Sequence, residues 1–378
     1  MTEKILKKNE IKQIFDSKTT FSEHVLIELS ETELKRNKEN IIFLEGMTCD
    51  SDKMKKVTWT TTKIGLNIKF KKRSSCDIES SVFSEFDFNR TKNNFVIITA
   101  TKIECQKYLQ SLIVSSTVRN AQPSGHVVLL TCVAKKITEG DKFWTSTDYK
   151  NIKKTKPNIL AVNNHHESKG FYASFGNKGS FDKCISSSVG QYATKRNKST
   201  EKQLEIIEFA DSYEKKIDNE ISRAVMDMNS VLPKIRSIIS PIIETAFELQ
   251  SSKKDINIKK VYTSDSGCWQ SSICVNATTG QFHTETDCTY TLISVPHQDT
   301  IKFDNHKNHY NFLFSLTKKK KVNIPLYPGV SFIFSAPFLT HRQHKNENAL
   351  SLEDHFFNVA SYGNKRLLSH IKKSFNKT

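Results

Sequence analysis

The hexapeptide Phe282-His283-Thr284-Glu285-Thr286-Asp287 places an imidazole and two carboxylates at every second position. On a β-strand alternate side chains share a face, so all three project the same way. A second histidine, His341, follows His283 by 58 residues, after the turn Pro328-Gly329 and the apolar run Val330-Ser331-Phe332-Ile333-Phe334. Two distant strands lying side by side would bring both imidazoles and one carboxylate to a single divalent ion. Such a set covers one face of an octahedral ion and leaves positions open for a bidentate 2-oxo acid and O₂. Glu285 is the carboxylate expected to join His283 and His341, and Asp287, one pleat further on, is the alternative. Either histidine alone would read as a hydrogen-bonded core residue; the combination in a strand-rich region is what points to a metal.

Positioning these residues takes a sheet. From Tyr262 to Lys373 the chain is almost continuously strand-like, with candidate strands at 270–276, 281–287, 289–295, 310–316, 322–326, 330–335 and 355–362. Seven short strands in roughly a hundred residues imply a closed or sandwich-like antiparallel fold. The other histidines here, His297, His306, His309, His344, His355 and His370, fall in polar connections or strand ends and read as solvated. Lys318 to Lys321 reads as a charged hairpin turn, with phosphate contact as a second possibility.

Upstream, Thr200 and Gln203 form a capping-box pair, and apolar residues recur at Leu204, Ile207, Tyr213, Ile217, Ile221 and Val225. This predicts a long amphipathic helix to near Pro233, and Ser240-Pro241 starts a shorter one over Ile242 to Leu249. Together, 199–250 form a helical buttress for a sheet domain at 251–378; the same apolar stripe would also suit a dimer contact. Residues 56–198 read as an α+β accessory region, with strands near 57–61, 64–70, 94–100 and 126–133 and helical spacing over 104–118. His165, His166 and Glu167 sit among loop residues and point apart, which favours a solvated loop over a metal site. The aromatics of Phe171 to Gly179 suit strand core, or a surface that stacks on bases. Residues 1–55 are polar and loosely patterned. The fold class expected is α+β.

The C-terminal 120 or so residues resemble the Fe(II)/2-oxoglutarate-dependent dioxygenase superfamily. The likeness rests on His283-Thr284-Glu285, the strand Tyr290 to Pro296, and Pro328-Gly329 ahead of His341. It implies a double-stranded β-helix, or jelly-roll, holding Fe(II) through His283, Glu285 and His341, with O₂ activation coupled to decarboxylation of 2-oxoglutarate. The family usually carries aspartate where Glu285 stands, and glutamate there is similar to cupins, which use other metals. The family also supplies a cation beyond the distal histidine for the far carboxylate of 2-oxoglutarate, but residues 351–354 read Ser-Leu-Glu-Asp. Arg366 is the best-placed substitute, followed by Arg342, which should point away from His341 on a regular strand, and then Lys302. Tyr290 or Asn358 would add a hydrogen bond. Substrates in the family include nucleobases and protein side chains such as proline.

The 57 Lys and Arg against 40 Asp and Glu give a net charge of +17. A polyanionic partner, DNA or RNA, fits this balance, although the predominance of lysine over arginine suits general solubility as well. A non-enzymatic nucleic-acid-binding protein on a degenerate barrel therefore stands as the alternative to an oxygenase. Eight scattered cysteines with no CxxC pair argue for a reducing compartment, nuclear or cytoplasmic, rather than a secreted disulfide scaffold. No stretch approaches the roughly 20 apolar residues of a membrane span, and nothing in the composition sets an oligomeric state.

Overall fold

The computed structural model describes residues 23–44, 59–61, 66–69, 75–76, 84–85, 95–101, 125–135, 144–154, 160–161, 170–179, 185–187, 200–233, 270–278, 282–285, 290–300, 310–315, 321–336, 338–346 and 355–362. They are mostly strand, with three α-helices: α1 (Glu31–Arg36), α2 (Ser146–Lys154) and α3 (Thr200–Val231). Upstream strands that join the main sheets include β1 (Ile41–Leu44), β2 (Phe95–Thr101), β3 (His126–Ala134) and β4 (Phe171–Gly179). The C-terminal region supplies β5 (Gln270–Val275), β6 (Phe282–His283), β7 (Thr291–Ser294), β8 (Tyr310–Ser315), β9 (Lys321–Pro325), β10 (Val330–Phe334), β11 (Thr340–Lys345) and β12 (Phe357–Tyr362). The predicted helices at 104–118 and 242–249, the loop at 163–167, and the side chains of Asp287, Lys302 and Arg366 lie outside the described residues.

The C-terminal region is a β-sandwich. Its larger sheet runs in the order β4-β5-β12-β7-β10-β3-β2-β1, extended at the β4 edge by Leu160–Ala161. Its smaller sheet runs β6-β11-β8-β9, flanked by Ser75–Cys76 and Ser84–Glu85. Strands of the 56–198 stretch therefore continue both sheets; Trp59–Thr61 and Leu66–Lys69 instead join Glu23–Leu26 in a three-stranded sheet. Between the two layers Phe312 and Phe314 of β8 pack against Phe332 and Phe334 of β10, with ring centroids 5.0–5.9 Å apart. These rings belong to one continuous buried cluster. The hairpin between β8 and β9 closes with Ser315 opposite Lys321, and residues 318–320 of the lysine run lie outside the described residues.

The long helix forms as its periodicity predicts. Its buried stripe, Tyr213, Ile217, Ile221, Ala224, Val225 and Met228, lies against the outer face of the larger sheet, including β3, β7, β10 and β12. That face is covered within the chain, so the stripe is not a dimer surface. Arg223 pins the helix to the sheet: it donates to the hydroxyls of Ser294 and Ser331 at 3.0 and 3.2 Å and pairs with Glu220 and Asp227 at 2.5 and 2.9 Å. Met226, 69% exposed, marks the opposite face. No helix among the described residues is long and apolar enough to cross a membrane.

Helix α2 was not anticipated, although Thr145 and Asp148 give it a capping box: Thr145 N–H donates to the Asp148 carboxylate at 2.7 Å, and Asp148 N–H to the Thr145 hydroxyl at 3.3 Å. The same carboxylate accepts from Tyr213 at 2.9 Å and Lys216 at 2.6 Å, tying α2 to α3. Burial alone would raise the Asp148 pKa, but the bonds from Lys216, the Thr145 N–H and Tyr213 outweigh it and hold the carboxyl below its usual range. A depressed folded pKa means the unfolded chain binds the proton more readily, so this stabilisation is whole above the ordinary carboxylate value and fades as pH falls through the folded one. Thermal midpoints measured across the acid range should therefore fall less steeply for Asp148→Asn than for the parent, and identical slopes would count against the carboxylate as the latch. On the other side of α2, Tyr149 stacks on His355, which is a packing residue and not the solvated histidine expected.

Candidate functional site

β6 is only two residues long, and His283 lies opposite His341 of β11 on one side and Ser75 on the other. Cross-strand partners in an antiparallel pair point to the same face, and the two rings stand 4.5 Å apart, centroid to centroid. That face is the interior of the sandwich. His341 is buried, stacked on Phe312 (5.6 Å, 14°) and edge-on to Phe334 (4.6 Å, 68°). Its Nδ1 donates to the Leu339 carbonyl at 2.8 Å. Such a bond fixes the ring and makes Nε2 the nitrogen suited to a metal.

After His283 the chain leaves the ladder, and the Glu285 N–H donates to the Ala336 carbonyl at 3.2 Å. The Glu285 carboxylate comes within 3.5 Å of His283 Nε2 and is about one-third exposed. Two donors bound at about 2.1 Å to one octahedral ion and set at right angles stand about 3 Å apart, so a small rotation of this side chain brings the pair to ligand spacing. The three side chains are not gathered around one point, however: among the described residues no group of three or more His, Cys, Asp or Glu is close enough to hold an ion. In donor chemistry, two imidazoles and one carboxylate fit a divalent iron.

Two expected co-substrate contacts are corrected. Arg342 lies on the outer face, its guanidinium 4.7 Å above the ring of Phe282, because it alternates with His341 along β11. The Tyr290 hydroxyl accepts from the Ile27 N–H at 2.9 Å and donates to the Val128 carbonyl at 2.6 Å, so it fastens the N-terminal strands to the sandwich rather than facing a ligand. Asn358 does lie inside, on β12, where its amide and that of Gln343 on β11 bond each other reciprocally at 3.2 and 3.4 Å across the two sheets. Gln343 was missed, as were Tyr310 and Lys345 on the same inner face. The signal was present in the alternation His341-x-Gln343-x-Lys345, which is a strand pattern written in polar residues.

No family model matches the sequence, and no curated protein matches it. Among solved structures the chain is similar to one described as "The structure of OsALKBH1", at 9% sequence identity and a TM-score of 0.28, over 62% of this chain and 96% of that one.

Proposed function

We propose that this chain is an Fe(II)- and 2-oxoglutarate-dependent oxygenase built on a double-stranded β-helix, with His283, Glu285 and His341 as the metal ligands. The observation that carries this reading is register: two histidines 58 residues apart are direct partners on facing positions of one small sheet. Supporting it, β5 to β12 exchange between the layers as large, small, large, small, small, large, small, large, the alternation of a jelly-roll. A bound iron would supply O₂ activation coupled to decarboxylation of the 2-oxo acid. The chain's own residues prepare that site. The Leu339 carbonyl orients His341, Phe312 and Phe334 keep water from its ring, and Glu285, beside His283, would complete the ligand set. The substrate proposed is a nucleobase in DNA or RNA, favoured over a protein side chain by the charge of +17. Cys132 and Cys274 are free thiols, in keeping with a nuclear or cytoplasmic setting.

One observation favours the second reading, a non-enzymatic nucleic-acid-binding protein: among the described residues no three of His, Cys, Asp and Glu are grouped closely enough to hold an ion. Anaerobic titration of Fe(II) and 2-oxoglutarate separates the two. The oxygenase develops a visible metal-to-ligand charge-transfer band at one iron per chain. A protein that binds nucleic acid with a steep salt dependence but shows no band is the binding module.

A further inference from the structure

Helix α2 turns two unlike faces. Its sequence, Ser146-Thr147-Asp148-Tyr149-Lys150-Asn151-Ile152-Lys153-Lys154, contains a single acid, and that carboxylate points inward, where it accepts from Tyr213 and Lys216. Ile152, fully buried, shares the inward side. Ser146, Lys150 and Lys153 stand at i, i+4 and i+7, a single stripe on the opposite side, and all three are exposed. Asp299 is exposed as well, but its N–H donates to the Trp144 carbonyl ahead of the first turn, whereas Lys150 and Lys153 lie in the later turns. Helix α1 makes the contrast. Its exposed Lys35 and Arg36, with Lys38 just beyond, are interspersed with Glu31, Glu33 and Glu39, so the charges there offset one another. Among the described residues of α2, no outward carboxylate offsets Lys150 and Lys153.

The stripe is carried on an anchored helix. Tyr149 stacks on His355, and Trp144, just ahead of α2, packs on Phe357 and Tyr213. Phe357 alternates with the inward Asn358 along β12, which puts α2 on the outer side of the larger sheet, across the sandwich from the strands that carry His283 and His341. From Ser146 to Lys153 the helix rises about 10 Å, the length of about three successive phosphates along one strand of a duplex. We infer that the outward face of α2 docks the sugar–phosphate backbone of a nucleic acid. Lys150 and Lys153 each neutralise a phosphate, and the Ser146 hydroxyl donates to a neighbouring one. Contacts of this kind hold and orient a strand without reading its sequence. The face holds a stretch of the strand other than one that enters the sandwich, and the inference does not rest on the metal reading.

The test compares the full-length parent with two double variants, Lys150→Gln with Lys153→Gln on α2, and Lys35→Gln with Lys38→Gln at α1. Binding of a fluorescein-labelled oligothymidylate is followed by anisotropy over a series of NaCl concentrations, with poly-glutamate as competitor. The α2 variant should bind about tenfold more weakly at low salt, and its slope of log affinity against log salt should be shallower by about 1.4, two phosphates at about 0.7 each on a single strand. The α1 variant, which loses the same charge, should bind as the parent does. Thermal midpoints of both variants should match the parent, since the altered side chains are exposed. Equal affinity and slope in the α2 variant and the parent overturn the inference, and so does an equal loss in both variants, which would make the effect one of net charge alone. Competition by poly-glutamate as strong as by unlabelled oligothymidylate overturns it in favour of an acidic polypeptide. A parent that binds no oligonucleotide overturns it together with the nucleobase substrate, while Mn(II) binding by the same protein would leave the metal centre standing.

Discussion

His283→Ala and His341→Ala should each lower Fe(II) or Mn(II) affinity by more than about a hundredfold and erase the charge-transfer band with 2-oxoglutarate. Loss of an outer-shell partner of a metal ligand typically costs 10–100-fold, and removing the ligand itself costs more. The two variants differ in their structural side effects. His341 is 5% exposed and packed among Phe312, Phe314 and Phe334, so its truncation leaves a cavity and lowers stability as well. His283 retains more exposure, 12% at the side chain, and lies at the end of a two-residue strand, so His283→Ala should keep the parent's circular dichroism while losing the metal. Glu285→Gln separates the roles further, because the amide preserves size and removes the anionic ligand. Wild-type Mn(II) affinity in His283→Ala, measured on folded protein, would end the metal reading.

The reach of the sequence can be judged at particular residues. His283 and Glu285 were legible because a strand puts alternate residues on one face, and the helix ending at Val231 was legible because its apolar stripe repeats over more than four turns. Strand β11 was not picked out as a strand. Thr340-His341-Arg342-Gln343-His344-Lys345 carries no apolar residue, so hydrophobic alternation is silent there. The strand forms because β6 and β8 offer it a ladder on both sides and because Phe312 and Phe314 cover its inner face. Without β11 in view, Gln343 and Lys345 had no face, although regular alternation already turned Arg342 away from His341. Tyr290 was misassigned for a related reason: its hydroxyl partners, Ile27 and Val128, come from segments 263 and 162 residues away, and no local pattern announces such contacts. The sheet shared by residues 41–44, 95–101 and 126–134 with the C-terminal strands is likewise a matter of long-range pairing, which composition does not encode.

Gly170→Ala should destabilise the protein by about 3 kcal/mol, at the upper end of what overpacking in a tight core costs. Gly170 leads into β4, whose first residue, Phe171, pairs with Val275 at the end of β5. A Cβ at residue 170 would sit far inside contact distance of the Asn276 carbonyl and 2.5 Å from the Ala277 nitrogen. Those are backbone atoms and do not swing aside as a side-chain tip would. Nor is Asn276 free to retreat. It adopts φ 50°, a left-handed conformation that asparagine tolerates better than most residues, and it is clamped to β12. Its N–H donates to the Phe356 carbonyl at 3.0 Å, and its Oδ1 accepts from the Phe356 N–H at 2.7 Å. Displacing Asn276 therefore loosens the junction of β4, β5 and β12, and β12 carries Asn358 into the interior opposite Gln343. Urea unfolding should show a lower midpoint with an unchanged slope for Gly170→Ala, whereas Met226→Ala, on the exposed face of α3, should stay within about 0.5 kcal/mol of the parent. A Gly170→Ala protein as stable as the parent would mean that the β4–β5 junction is not packed as tightly as the Asn276 clamp requires.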